Sequence, residues 1–282
     1  MILRTTVHHS KANFIRKCYP TLLRRRSIST IDPGEVLHFD NLAATWWDPH
    51  GSSRLLHRMN PLRLEFIKSL LPVSESSNDS RYLRGYSILD VGCGGGILTE
   101  SFARLGAMTK GIDASSKAVE VAKAHLRTDP ILMRDNPPKY DCNTIQRSGM
   151  DELYDIVTAM EVLEHVEYPS IFLDELARKV KPGGWMILST ISRSWTAWAG
   201  AIIAAERILG IVPVGTHSWR KFINESELRD YFAKLKCDRG RQWATIVRTR
   251  GCGYSPLRGE WFFTEKPTLG VFNYLVAVRK AM

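Results

Sequence analysis

Asp90-Val91-Gly92-Cys93-Gly94-Gly95-Gly96 is the stretch on which the fold of this chain is read. It follows a short strand-like run (Tyr86, Ile88, Leu89) and opens a helical pattern (Leu98, Phe102, Leu105). Glycines at a strand-to-helix turn let the backbone approach a nucleotide-like ligand, because no Cβ intervenes. A dinucleotide loop wants the spacing G-x-G-x-x-G. Gly92 and Gly94 fit, but Ile97 stands where the third glycine belongs. Asp90, at the strand end, would also repel a pyrophosphate. A ligand carrying an ammonium and a sulfonium tolerates that carboxylate, so the loop reads as a site for S-adenosylmethionine (SAM). The plain alternative is a glycine-rich turn with no ligand. Asp113 argues against it: it ends the next strand-like run (Thr109, Gly111, Ile112), 21 residues after Gly92. An acid there takes ribose hydroxyls in nucleotide folds. Asp113 can also cap the helix that begins near Ser115, and the two roles are compatible.

Outward from the loop the pattern alternates. Strands are predicted at 86–91, 108–113, 155–159 and 185–189, with a short one at Cys142–Gln146. Helices are predicted at 97–106, 115–127 and 169–180, the last stopped by Lys181-Pro182-Gly183-Gly184. Upstream, 35–47 has helical periodicity, and Asn60-Pro61 is expected to open a second helix with Pro in its first turn. Such alternation gives a doubly wound, mostly parallel α/β sheet with ligands at the carboxyl ends of its strands. The expected fold is the Rossmann-like class I SAM-dependent methyltransferase, with N-terminal helices and a helical insertion at about 192–220. Residues 31–282 form one domain in this reading.

Composition narrows the setting. The chain has 282 residues, 44% hydrophobic and 24% charged, with a net charge of +10. Residues 1–31 hold seven of the 39 bases (Arg4, Lys11, Arg16, Lys17, Arg24, Arg25, Arg26) and no acid. The remainder sets 32 bases against 29 acids, so the basic pI does not argue for a nucleic-acid partner. An acid-free, Arg-rich start with Ser and Thr reads as a mitochondrial presequence over about 1–30, and the mature chain is expected to begin between Ser27 and Asp32. Cys18, Cys93, Cys142, Cys237 and Cys252 form no C-x-x-C pair, which suits a reducing compartment. Cys93 reads as a small filler of the loop.

Met160-Glu161-Val162-Leu163-Glu164-His165-Val166 follows the 155–159 strand. On a helix, Glu161, Glu164 and His165 would share one face at i, i+3 and i+4. Two carboxylates and an imidazole suit one divalent cation, Mg²⁺ or Mn²⁺ by oxygen content, Zn²⁺ or Co²⁺ through the imidazole. The same residues also make an ordinary helix start with acids near its positive end and a structural histidine.

Several segments together resemble the ubiquinone-biosynthesis O-methyltransferases, over about Val36 to Lys280. They are Trp46-Trp47-Asp48, Leu56-His57-Arg58-Met59-Asn60-Pro61-Leu62-Arg63, the loop from Leu89 to Leu98, Met160 to Val166, Val180-Lys181-Pro182-Gly183-Gly184, Val212 to His217, and Lys221-Phe222-Ile223. The glycine loop is common to many SAM enzymes; 56–63 and 212–223 are far more specific. The resemblance implies that Arg63, Gly92, Asp113 and Met160 contact SAM, with Arg63 on the methionyl carboxylate. It implies a divalent metal at Glu161, Glu164 and His165, Mg²⁺ first, with Glu164 and His165 catalytic. It implies methyl transfer to a catechol hydroxyl of polyprenylated ubiquinone precursors (3,4-dihydroxy-5-polyprenylbenzoate and demethylubiquinol). A metal-free route would use His165 or His217 as general base. The chain departs from the family between Gln146 and Asp155, where the connection is short; no adenine contact is assigned there, and Asp151 is only a candidate.

Residues 195–214 are apolar but interrupted by Glu206, Arg207 and Pro213, too short an uncharged run to span a bilayer. Trp195 and Trp198 suit a helix at a lipid interface or a lid over the site. The expected setting is peripheral, on the matrix side of the mitochondrial inner membrane, with other subunits of a ubiquinone-biosynthesis complex as partners. A non-catalytic scaffold on the same fold is the competing class, and an N- or C-methyltransferase the competing enzyme.

Overall fold

In the computed structural model, the described residues are 29–72, 80–148, 152–193, 221–237, 240–255, 257–264 and 273–282. Strand β1 (Ser87–Val91) is flanked by β2 (Met108–Asp113) on one side and β4 (Tyr154–Met160) on the other, both parallel to it. The order of strands reverses there, which opens a crevice at the carboxyl end of β1. β3 (Lys139–Cys142) lies outside β2, and β5 (Val180–Ile191) outside β4. β8 (Asn273–Lys280) then runs antiparallel between β5 and β6 (Ala244–Ser255), and β7 (Glu260–Thr264) closes the edge. Among the described residues the sheet order is β3-β2-β1-β4-β5-β8-β6-β7. The expected doubly wound sheet is therefore present, with an antiparallel third.

Central strands are buried on both faces. Leu89, Val157, Met186, Leu188 and Val276 pack on one side, and Ile88, Ile156, Ile187, Leu275 and Ala277 on the other. That is the period-two consequence of a strand covered twice, and it explains the near-continuous apolar runs.

Helices α1 (Pro33–Leu42) and α2 (Arg54–Lys68) precede the sheet. Asp32 caps α1, its carboxylate accepting from Gly34 N at 3.0 Å, with Pro33 pre-set for the first turn. A 3₁₀ turn, Ala43–Thr45, follows. α2 begins at Arg54, well before the expected Asn60, and Pro61 lies inside it. Burial of Met59, Leu62, Phe66 and Ile67 outweighs the one backbone hydrogen bond that Pro61 forgoes. α3 (Ile97–Arg104) and α4 (Ser116–Leu126) follow β1 and β2 as expected, with Ser115 capping α4.

Two expectations need correction. The third strand is Lys139–Cys142 and not Cys142–Gln146, because the pairing to β2 starts at Lys139↔Lys110; beyond it Arg147 N and Ser148 N both turn back to Thr144 O. A short helix α5 (Pro130–Asp135), capped by Asp129, which the sequence reading did not predict, stands between α4 and β3. α6 (Pro169–Lys179) leads into β5, and α7 (Glu225–Lys234) into β6. Residues 1–28 of the expected presequence, most of the 192–220 insertion and Asp151 lie outside the described residues. No helix among the described residues is long and apolar enough to cross a membrane.

Candidate active site

At the carboxyl end of β1 the chain turns left-handed. Gly92 has φ 73° and Gly94 φ 52°. A Cβ on Gly92 would sit 2.4 Å from Val162 Cγ2, and one on Gly94 2.2 Å from Trp46 Cζ2. Both the conformation and the close approach therefore require glycine. Gly92 N and Cys93 N donate to Ile112 O at 2.8 and 3.1 Å, which ties the loop to β2. Trp47 Nε1 donates to Gly95 O at 2.7 Å and its ring stacks on His125 at 3.3 Å.

Asp113 completes the loop from β2: its carboxylate accepts from Gly94 N and Ser115 N, both at 2.8 Å. Burial raises its pKa against these hydrogen bonds. Asp90, at the cavity wall, is also tied to its neighbours. Thr99 Oγ1 donates to one of its oxygens at 2.6 Å and Thr158 Oγ1 to the other at 2.7 Å, so it braces the strand end from inside. Burial raises it too. Cys93 is buried, and burial pushes its thiol well above the ordinary range, so it is the filler the sequence suggested.

Asp90, Gly92, Cys93, Gly94 and Asp113 line a cavity of about 410 Å³ whose wall also includes Arg63, Met160, Glu161, Glu164 and His165. Four sequence-predicted cofactor residues, Arg63, Gly92, Asp113 and Met160, thus meet at one cavity. Arg63, on α2, is 4% exposed, and its Nε and Nη2 have no hydrogen-bond partner among the described residues. Glu161 Oε1 stands 3.9 Å from Nη2, beyond hydrogen-bond reach. Burial lowers the Arg63 pKa, and Glu161 and Asp90 counter it. A buried guanidinium with open donors fits a carboxylate-bearing ligand.

The Glu161–Glu164–His165 set departs from the helical expectation. Glu161 has φ 56°, a strained conformation for a residue with a side chain. Only Leu163–His165 form a single 3₁₀ turn, so the three do not share a helix face. The chain must reverse at the end of β4, and Ser189 on β5 holds the reversal by accepting from Glu161 N through its carbonyl at 3.1 Å and its hydroxyl at 3.0 Å. Glu161's carboxylate then accepts from Ser189 Oγ (2.6 Å) and Asn273 Nδ2 (2.7 Å). Glu164 is 3% exposed; Oε2 accepts from Thr190 Oγ1 at 2.7 Å, and Oε1 is buried with no hydrogen-bond partner among the described residues. Burial, with Glu161 beside it, pushes the Glu164 carboxyl up to about 7. His165 donates through Nδ1 to Glu35 Oε2 at 2.9 Å. Burial acts to lower the imidazole pKa, but Glu35 and Glu164 raise it overall.

The donor chemistry of the set fits a divalent cation, and the orphaned Glu164 Oε1 is the oxygen that calls for one or for a proton. As they stand, however, no three His, Cys, Asp or Glu side chains among the described residues gather closely enough to hold an ion. His217 lies outside the described residues.

The sequence reading missed several cavity residues. Asn143, Ile145 and Gln146 follow β3 and reach the wall beyond Asp113, and Glu35, Phe39 and Trp46 come from the N-terminal helices. The end of the third strand was the available signal for the first group, had its bounds been placed correctly. No local pattern marks the second.

Residues 53–238 match the sequence family described as "Methyltransferase domain". The mitochondrial ubiquinone biosynthesis O-methyltransferase of Schizosaccharomyces pombe is 42% identical over 274 residues, 94% of each chain. The ubiquinone biosynthesis O-methyltransferase of Bradyrhizobium sp. (strain ORS 278) is 37% identical over 89% of this chain and 94% of its own. Among solved structures, the magnesium protoporphyrin IX methyltransferase of Synechocystis PCC 6803 with bound SAH is similar in fold, with a TM-score of 0.58 at 19% identity, over 87% of this chain and 95% of that one.

Proposed function

The chain belongs to the ubiquinone-biosynthesis O-methyltransferase family as a SAM-dependent enzyme, and from that premise we propose that it methylates a catechol hydroxyl of polyprenylated ubiquinone precursors. The precursors are 3,4-dihydroxy-5-polyprenylbenzoate and demethylubiquinol. The observation that carries the donor half is Arg63, buried in the cavity wall with two nitrogens that make no hydrogen bond among the described residues. In this reading Arg63 takes the methionyl carboxylate, Asp113 the ribose hydroxyls, and Gly92 and Met160 lie against the cofactor.

The acceptor half rests on Glu161, Glu164 and His165. A catechol hydroxyl with a pKa of about 10 is a weak nucleophile at neutral pH. A divalent cation, Mg²⁺ first, would supply Lewis acidity that lowers that pKa, and Glu161, Glu164 and His165 would have to draw together to hold it. The chain's own contribution is position and a proton path. In this reading the cavity would hold the catechol oxygen in line with the SAM methyl. As the new C–O bond forms, the C–S electron pair passes to sulfur and S-adenosylhomocysteine leaves. The hydroxyl proton needs an acceptor, and His165 Nε2 and Glu164 Oε1 are the two groups available.

A second reading follows from the buried Glu164 Oε1 at the cavity wall, which has no hydrogen-bond partner among the described residues: Glu164 acts as general base without a metal. Assay of a chelated and then Mg²⁺-restored preparation, with SAM and a short-prenyl catechol, separates the two. Activity that chelation does not touch favours the base. Activity lost and restored favours the metal. Glu164→Ala is expected to abolish turnover, at least a hundredfold, while SAH affinity stays within a factor of three. Wild-type turnover by that variant would exclude both readings.

The mitochondrial name of the fungal relative and the basic, acid-free residues 1–31 support a mitochondrial location with removal of about 1–30. Peripheral attachment through about 195–214 to the matrix face of the inner membrane, beside other enzymes of the pathway, is consistent with a lipid-borne acceptor.

A further inference from the structure

The N-terminal helix reaches the catalytic set through one side chain. Glu35 lies in the first turn of α1, 130 residues from His165 in sequence, and its Oε2 is 2.9 Å from His165 Nδ1. A carboxylate only accepts, so Nδ1 carries the proton in this contact. The imidazole's remaining nitrogen is then Nε2, on a ring that lines the cavity. Phe39, one turn further along α1, sets its ring edge-on to the imidazole at 4.9 Å and restricts its rotation. The other oxygen of Glu35 is held as well: Lys221 Nζ donates to Oε1 at 2.7 Å and to Asp32 Oδ2 at 3.1 Å. Asp32 is the cap of α1. Glu35 is thus fixed from both sides, by α1 itself and by Lys221.

We infer that Glu35 is a positioning residue for the methyl transfer: from α1 it holds His165 by Nδ1, so that Nε2 is presented as the ligand or base nitrogen of the acceptor site. The inference rests on the proposed role of His165. The logic is that of a histidine whose second nitrogen donates to a carboxylate, which sets the tautomer and the ring orientation of the working nitrogen. It also gives α1 a task. None of its residues is fully buried, so packing alone does not account for its place over the cavity.

The test uses the full chain with four substitutions: Glu35→Ala, Glu35→Gln, Lys221→Met and His165→Ala. Readouts are kcat and KM with SAM and a short-prenyl catechol, SAH affinity, and Mn²⁺ affinity measured by calorimetry without substrate. Glu35→Ala is expected to lower kcat and Mn²⁺ affinity about 10- to 100-fold, with SAH affinity within threefold. Glu35→Gln keeps the shape and an acceptor oxygen, and is expected to recover part of that loss. It is the deciding variant if Glu35→Ala loses its thermal transition. Lys221→Met leaves the Glu35–His165 contact in place and is expected to keep kcat within about threefold. Wild-type kcat and Mn²⁺ affinity in both Glu35 variants, with His165→Ala inactive, would overturn the inference alone. Equal losses in Lys221→Met and the Glu35 variants, shared by SAH affinity, would also overturn it, because Glu35 would then only anchor the helix. Full activity in His165→Ala would remove the reading on which it rests.

Discussion

Arg63 brings a full positive charge into a largely apolar cavity, and two of its nitrogens make no hydrogen bond among the described residues. Such a group costs stability unless a ligand completes it, on the order of 1–3 kcal/mol per unmade bond. Lysine cannot reproduce the planar, two-pronged donor. Arg63→Lys is therefore expected to weaken SAH binding at least about tenfold in calorimetry, with little change in the acceptor KM. Glu35 supplies a pH prediction at the same scale. Burial would raise its carboxyl, but hydrogen bonds from His165 and Lys221 overturn that and hold it at about 2, against 4.5 when unperturbed. A depressed carboxyl stabilises the fold above its unfolded value and loses that contribution as pH falls. The stability gap between wild type and Glu35→Gln should thus be full above about pH 4.5 and vanish toward pH 2, as followed by urea titration. With allowance for solvent screening, the full gap is on the order of 2 kcal/mol. Arg63 was readable in the sequence only through family resemblance, since an arginine in an amphipathic helix looks like any surface arginine. Glu35 was not readable at all, because its partner lies 130 positions away.

At the scale of elements, the glycine loop was the most legible feature, because its requirement is local. Gly92 must turn left-handed and must also clear Val162, so Gly92→Ala meets two obstacles at once. It is expected to cost at least about 2 kcal/mol in thermal or denaturant unfolding and to abolish SAH binding. Retained affinity would show that the loop can shift without losing the site. The 161–165 segment was legible as chemistry and misread as geometry. Spacing of i, i+3, i+4 describes a helix face only where a helix exists, and here the chain first reverses at Glu161 with φ 56°. That reversal depends on Ser189 and Asn273, which belong to β5 and β8. The start of α2 was misplaced for a related reason. Pro61 is a start signal in isolation, but buried side chains over two turns outweigh one missing hydrogen bond.

For the whole molecule, β8 is the strand that joins the parallel and antiparallel parts, pairing with β5 over Trp185–Ile191 and with β6 over Ala244–Cys252. Leu275, Val276, Ala277 and Val278 are each at most 1% exposed. Losing the larger of them forfeits about 1.5–3 kcal/mol apiece, which together with the ladder approaches the 5–15 kcal/mol that holds a domain folded. A chain ending at Thr264 is expected to show no cooperative thermal transition by circular dichroism, and a transition near the wild-type temperature would mean that β8 is dispensable. The sequence by itself determined the α/β class, the glycine loop and the identity of the acid and histidine residues that line the cavity. Those follow from local demands: a period of two or 3.6, a left-handed turn, a charge that suits one ligand and not another. Only the tertiary structure decided which atoms of those residues are spoken for. Asp90 was tied to two threonines, Glu161 was taken by Ser189 and Asn273, Glu164 Oε1 was left with no hydrogen-bond partner among the described residues, and Glu35 was brought to His165. Each outcome depends on side chains from separate elements meeting at the end of one sheet, and no spacing along the chain encodes that meeting.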